Sequence, residues 1–133
     1  MDLYGTDDFV VSEMLGKTFT RVVNTGEEII FRHENGDDYI FHHFNNCCES
    51  VTVEDVVGDL NDLVGVPILE AEVVIDSGYD DDHESRTWTF YKFGTIKGHV
   101  NIRWFGSSNG YYSESVDQSI VRANEQDDGD AND

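Results

Sequence analysis

Apolar and polar positions alternate with a period of two through much of this chain, and that period predicts strands. The clearest run lies within residues 88–113. Val100, Ile102 and Trp104 point one way there, while Asn101, Arg103 and Phe105 point the other. Just upstream, Trp88 and Phe90 alternate with Thr89 and Tyr91, so both faces carry aromatic rings. Gly94 and Gly98 bracket Thr95-Ile96-Lys97, which suits a turn between antiparallel strands. The second run ends in Gly106-Ser107-Ser108-Asn109-Gly110, where Asn-Gly favours a turn with positive φ.

Residues 18–23, 28–33 and 39–44 read as three more strands. Asn24-Thr25-Gly26 joins the first two, and Glu34-Asn35-Gly36-Asp37-Asp38 joins the second pair, giving a β-meander. Residues 68–75 form a further strand, with Glu70 and Glu72 alternating with Leu69, Ala71 and Val73. One segment has another period. Over residues 52–64, Val53, Val56, Val57, Leu60, Leu63 and Val64 recur at helical spacing. Thr52 suits the N-cap, and Gly65 with Pro67 ends the segment. The pattern therefore predicts an α+β fold: a single antiparallel, twisted sheet of about six or seven strands with one amphipathic helix packed on it.

Three parts follow along the chain. Residues 1–16 are an acidic lead-in that can hold a short helix closed by Gly16. Residues 17–122 make a single α+β domain. Residues 123–133 are so acidic and so poor in apolar groups that a disordered tail is expected.

Charge narrows the function classes. Of 133 residues, 28 are acidic and 8 basic, a formal net charge of −20. Direct binding to a nucleic-acid backbone is disfavoured, because phosphate contacts need clustered Lys and Arg. Acidity of this size serves solubility, suits a high-salt host, or imitates a nucleic acid. No apolar run approaches the roughly 18 residues of a membrane span, and the first residues lack the features of a signal peptide. No membrane partner is expected, and the anticipated compartment is the cytoplasm. The only cysteines, Cys47 and Cys48, are adjacent. In a strand they would point to opposite faces, which argues for reduced thiols in an intracellular compartment.

The densest group of chemically versatile side chains is His42-His43-Phe44-Asn45-Asn46-Cys47-Cys48-Glu49-Ser50. Zinc needs three or four converging ligands, and adjacent pairs on a strand diverge, so neither a metal nor a cofactor is predicted. A ligand pocket is the alternative. His43, Cys48 and Glu49 would form one wall, and Arg103, Trp104, Ser107, Ser108, Asn109, Tyr111 and Tyr112 the other. Tyr111, Tyr112 or Trp104 would stack a base, Arg103 would pair with a phosphate, and Ser108 and Asn109 would fix orientation. A second candidate surface is acidic: Asp55, Asp59 and Asp62 on the polar face of the predicted helix, with Asp80, Asp81, Asp82 and Glu84 in the loop after residue 75. No catalytic residue is assigned, although Cys48 or His43 beside Glu49 has the makings of a nucleotide hydrolase.

Two blocks carry a family likeness. One is Cys47-Cys48-Glu49-Ser50-Val51 with Glu54-Asp55-Val56-Val57-Gly58-Asp59-Leu60 and Asp62-Leu63-Val64-Gly65-Val66-Pro67-Ile68-Leu69. The other is Trp88-Thr89-Phe90-Tyr91-Lys92, then Thr95-Ile96-Lys97-Gly98, then Ile102 through to Gly110-Tyr111-Tyr112-Ser113-Glu114. Together they resemble an uncharacterised family of small acidic proteins common in tailed bacteriophages. The resemblance implies an origin in a virus or prophage of a prokaryote, and no established chemistry. With the charge, it leads to an expected function: a non-enzymatic viral binding protein that counters a host defence system, as an acidic, nucleic-acid-mimicking inhibitor of a host protein with a basic surface. The alternatives are a sponge for a small nucleotide-like signal near residues 103–113, or a small nucleotide hydrolase.

Overall fold

The computed structural model describes residues 7–44, 48–79, 84–109 and 113–123. Along them run strands β1 (Asp7–Asp8), β2 (Phe19–Asn24), β3 (Ile29–His33), β4 (Asp38–His42), β5 (Ser50–Val57), β6 (Glu70–Tyr79), β7 (Ser85–Thr95), β8 (Gly98–Ser108) and β9 (Asp117–Val121). The named strands pair antiparallel with one another, and they build two sheets, β1-β9-β4-β3-β2 and β5-β8-β7-β6. Two single turns of 3-10 helix, Val11–Met14 and Leu60–Leu63, also occur among the described residues.

The single sheet predicted from the alternation is thus two. Alternation tells which residues share a face, not which strands share a sheet. The residues between β4 and β5 carry the chain from one sheet to the other, and β9 returns to pair with β4. The inner faces meet through aromatic rings. Phe31 lies 5.2 Å from Phe93, and Phe41 lies 4.7 Å from Tyr91, edge to face. Tilted and edge-on contacts of this kind suit the ring quadrupoles. Met14, Phe19, Phe31, Phe41, Phe93, Ile102 and Trp104 are all buried in this core. Each large apolar side chain there contributes roughly 1.5–3 kcal/mol.

The predicted amphipathic helix is not formed; its first six residues belong to strand β5. A β-bulge explains the misleading spacing. Val53 pairs with Trp104 and Asp55 with Arg103, so Glu54 is an extra residue. Val51, Val53 and Val56 therefore pack on the core, and the jump of three between the last two imitates a helical repeat. Gly58, at φ +111°, then turns the chain in a conformation no helix contains. Asp59 accepts from the Asn61 N–H and caps the short turn that buries Leu63.

The lead-in contributes to the core. Phe9, Val11 and Met14 are buried, and β1 pairs with β9. A clasp fastens β1 and the residues just after β9 to the β3–β4 turn. Arg122 donates to Asp7 at 2.9 Å and to Asp37 at 3.1 Å, and the Ala123 N–H donates to Asp37 at 2.9 Å. The acidic tail predicted from residue 123 onward lies outside the described residues except for Ala123.

Candidate functional site

One end of the sandwich gathers buried polar chemistry, because four chain segments converge there. β4 ends at His42, whose cross-strand partner is Asp117 at the start of β9. β5 begins at Ser50, whose partner is Ser107 near the end of β8. The two halves of the predicted pocket are therefore backbone neighbours at Ser50 and Ser107.

His43 and Glu49 form the first cluster. The His43 Nδ1 donates to the Ser115 carbonyl at 2.7 Å, and its Nε2 lies 2.8 Å from Glu49 Oε2. Both side chains are almost wholly withdrawn from solvent. A carbonyl only accepts, so Nδ1 carries a proton, and a second proton lies between Nε2 and the carboxyl oxygen. With both nitrogens committed, the ring cross-links β4, β5 and the segment before β9. A cavity of about 270 Å³ lies beside it, lined by Glu27, His43, Glu49, Ser50, Val51 and Thr52.

Glu114 centres the second cluster. It is buried and accepts from the Thr87 hydroxyl at 2.7 Å and the Ser108 hydroxyl at 2.5 Å. Its neighbour in β8 is Gly106, where a Cβ would stand 3.0 Å from both the Cβ and the carbonyl oxygen of Glu114. Glycine at this position lets the 113–116 segment lie directly on the sheet. A cavity of about 290 Å³ opens here between Glu114, Thr87 and Ser85 on one side and Ser77, Gly78 and Tyr79 on the other.

Nearby titrations follow from burial. Tyr91, in the core, donates its hydroxyl to Gln118 at 2.8 Å, and burial raises its pKa far above that of a free tyrosine. Burial also raises the Tyr39 hydroxyl, with Asp37 adding to the shift.

The other residues singled out in the sequence are dispersed. Ser108 is buried and bound to Glu114, whereas Asn109 is exposed. Arg103 is not at the site. It lies on the outer face of its sheet, donates to Glu54 at 2.7 Å and stands 3.7 Å from Asp55. The bulge at Glu54 is what sets two carboxylates before one guanidinium. Trp104 faces the opposite way and is buried in the core, so it has no open face on which a base could stack.

Cys48 is disulfide-bonded, and the only other cysteine in the chain is Cys47. The strand argument for reduced thiols does not apply, because Cys48 lies in a bend. Asp55, Asp59 and Asp62 do not form a row, since no helix aligns them. Asp55 belongs to β5, Asp59 caps a turn, and the Asp62 carbonyl accepts from Thr95 at 2.5 Å. Glu84 is exposed. Asp80, Asp81, Asp82, Tyr111 and Tyr112 lie outside the described residues.

Sequence reasoning missed Glu114, Ser115 and Thr87 as site residues. One glutamate among 28 acidic residues gives no signal of its own. The available clue was position, since Glu114 closes the block that follows β8. Among the described residues no group of three or more His, Cys, Asp and Glu is placed to hold a metal, and no helix is long and apolar enough to cross a membrane.

No curated protein and no solved structure matches the chain. Residues 12–118, which run from the first 3-10 turn into β9 and include both clusters, match the family model DUF7448, a domain of unknown function, and the chain belongs to that family.

Proposed function

We propose that this protein is a non-enzymatic binding protein whose carboxylate-rich exterior engages a basic surface on a partner protein, in place of a nucleic acid. The fate of the cations carries the reading. Against 28 acidic residues there are 8 basic ones, and Arg32, Arg103 and Arg122 are each held by carboxylates of this chain. The chain keeps a formal net charge of −20, and Asp55, Asp59 and Glu84 are exposed. Such a field attracts basic surfaces over distances set by the salt concentration and acts first on the rate of encounter. The resemblance to small phage proteins supports a setting in an infected prokaryotic cell, with a nucleic-acid-binding defence effector as the target.

The nucleotide-sponge reading has less support, because the cation it assigns to the phosphate, Arg103, lies on the outer face of β8 against Glu54 and Asp55. The hydrolase reading needs Cys48 or His43 available beside Glu49; Cys48 is disulfide-bonded and both ring nitrogens of His43 are engaged.

The test is stopped-flow association with a basic nucleic-acid-binding protein of the host, over a salt series. The triple variant Asp55→Lys, Asp59→Lys, Glu84→Lys should associate at least about ten-fold more slowly at low salt. An unchanged rate and an unchanged salt slope would reject the reading.

A further inference from the structure

Strand β6 is one of the two edges of the four-stranded sheet, and the opposite sheet stops covering it part-way along. Ala71, Val73, Ile75 and Tyr79 share the inner face, and their exposure climbs from 7% through 39% and 63% to 72%. Their neighbours on β7 stay covered: Tyr91 opposite Val73 and Thr89 opposite Ile75 are both buried. The result is a largely apolar inner strip along a ten-residue strand that, among the described residues, pairs on one side only, and it ends at the Glu114 cavity. On the outer face the same strand carries Glu70, Glu72 and Asp76.

Glu114 gives this edge its selectivity. Its carboxylate is buried, and the partners it has are the two neutral hydroxyls of Thr87 and Ser108. A desolvated carboxylate that faces a cavity and has no counter-charge among the described residues favours a cation there. We propose that β6 accepts an added strand from a partner protein, an extended segment of alternating apolar and basic residues, with one Arg or Lys reaching into the Glu114 cavity. This deepens the reading above and rests on it.

Geometry and charge agree on that occupant. An added strand would continue the sheet through main-chain hydrogen bonds, with its inner side chains beside Val73, Ile75 and Ser77. Glu114 is bonded to Thr87 of β7, two strand spacings or roughly 10 Å from the new strand, a span that an extended arginine and its hydrogen bond can bridge. Outer-face basic residues would meet Glu72 and Asp76. A second copy of β6 is a poorer occupant, since each chain carries a net charge of −20 and the same carboxylates along this edge.

The test compares two probes: a capped peptide of alternating valine and arginine, and polylysine of equal charge. Calorimetry gives affinity, and amide shifts locate the site. The alternating peptide should bind more tightly than polylysine and shift amides of residues 73–79. Glu114→Gln and Ile75→Lys should each weaken the peptide at least about ten-fold while changing polylysine little. Ile75 is exposed, so its variant carries the test if Glu114→Gln fails to fold. Equal affinity for both probes, or peptide binding unaltered by the variants, overturns the β6 site and leaves the acidic-surface reading standing. No binding of either probe removes both. Concentration-dependent dimerisation through β6 without peptide overturns the site in favour of a second copy.

Discussion

His43 and Glu49 meet at 2.8 Å with both side chains out of solvent, while the other nitrogen of the same ring holds the Ser115 carbonyl. Breaking such a pair strands a buried polar group. Glu49→Ala should therefore cost about 3–5 kcal/mol of folding stability. The exposed pair of Arg103 with Glu54 is the control, and Glu54→Ala should cost no more than about 1 kcal/mol. Urea unfolding of the two variants measures both. Equal losses would mean that the imidazole is not a structural cross-link.

Gly58 separates the strand from the helix that the spacing predicts. In a helix, Gly58→Ala would stabilise by about 1 kcal/mol. Here the residue has φ +111°, and a Cβ would stand 2.6 Å from the His99 carbonyl oxygen and 3.2 Å from the Val100 Cα. Those are backbone atoms that cannot swing aside. Gly58→Ala should lower stability by more than about 1 kcal/mol, seen as a lower Tm.

The clasp at Asp37 makes stability depend on acid. Burial alone would raise this carboxyl, but the Ala123 N–H, the Arg122 guanidinium and the Asn35 amide outweigh it and hold the pKa below 3.8. The unfolded chain then takes up the proton first as pH falls. The contribution is complete above about pH 4 and is lost as pH drops through the folded value. Asp37→Asn lacks this term, so its deficit relative to the natural chain should shrink from neutral pH toward about pH 3 in urea midpoints. A deficit constant over that range would contradict the assignment.

The β7–β8 hairpin was legible because its pattern is local. Val100, Ile102 and Trp104 face the core, and Asn101, Arg103 and Phe105 face out, as the alternation predicts. The meander of β2 to β4 was legible for the same reason. What failed depended on partners. The bulge at Glu54 exists only against β8, and a sequence read alone shows its spacing as helical. The sorting into two sheets is set by non-local pairs such as Tyr39 with Ile120, which no window of the chain contains. The site divides in the same way. His43, Glu49 and Ser108 stood out as versatile residues in two dense blocks, while Arg103 and Trp104 were misplaced because neighbours on a strand face opposite ways. Glu114 owes its role to burial alone, and burial cannot be read from one acidic residue in an acidic chain.

Gly106 couples the two clusters. It sits in β8 beneath Glu114, and a Cβ there would meet the Glu114 Cβ and carbonyl oxygen at 3.0 Å and the Val51 Cγ2 at 3.1 Å. Val51 is core and the carbonyl is backbone, so Gly106→Ala must push the 113–116 segment away from the sheet. That movement lengthens the hydroxyl bonds to Glu114 and draws the Ser115 carbonyl from His43 together. The expected cost is about 1–3 kcal/mol, as for overpacking elsewhere in a tight interior. The ring nitrogen resonances of His43 report the second effect without reference to stability. A shifted His43 signal in Gly106→Ala, from a residue that touches neither His43 nor Glu49 in the contacts above, would show that one short segment holds both clusters in place. An unshifted signal with an unchanged Tm would mean that each cluster is set by its own strands.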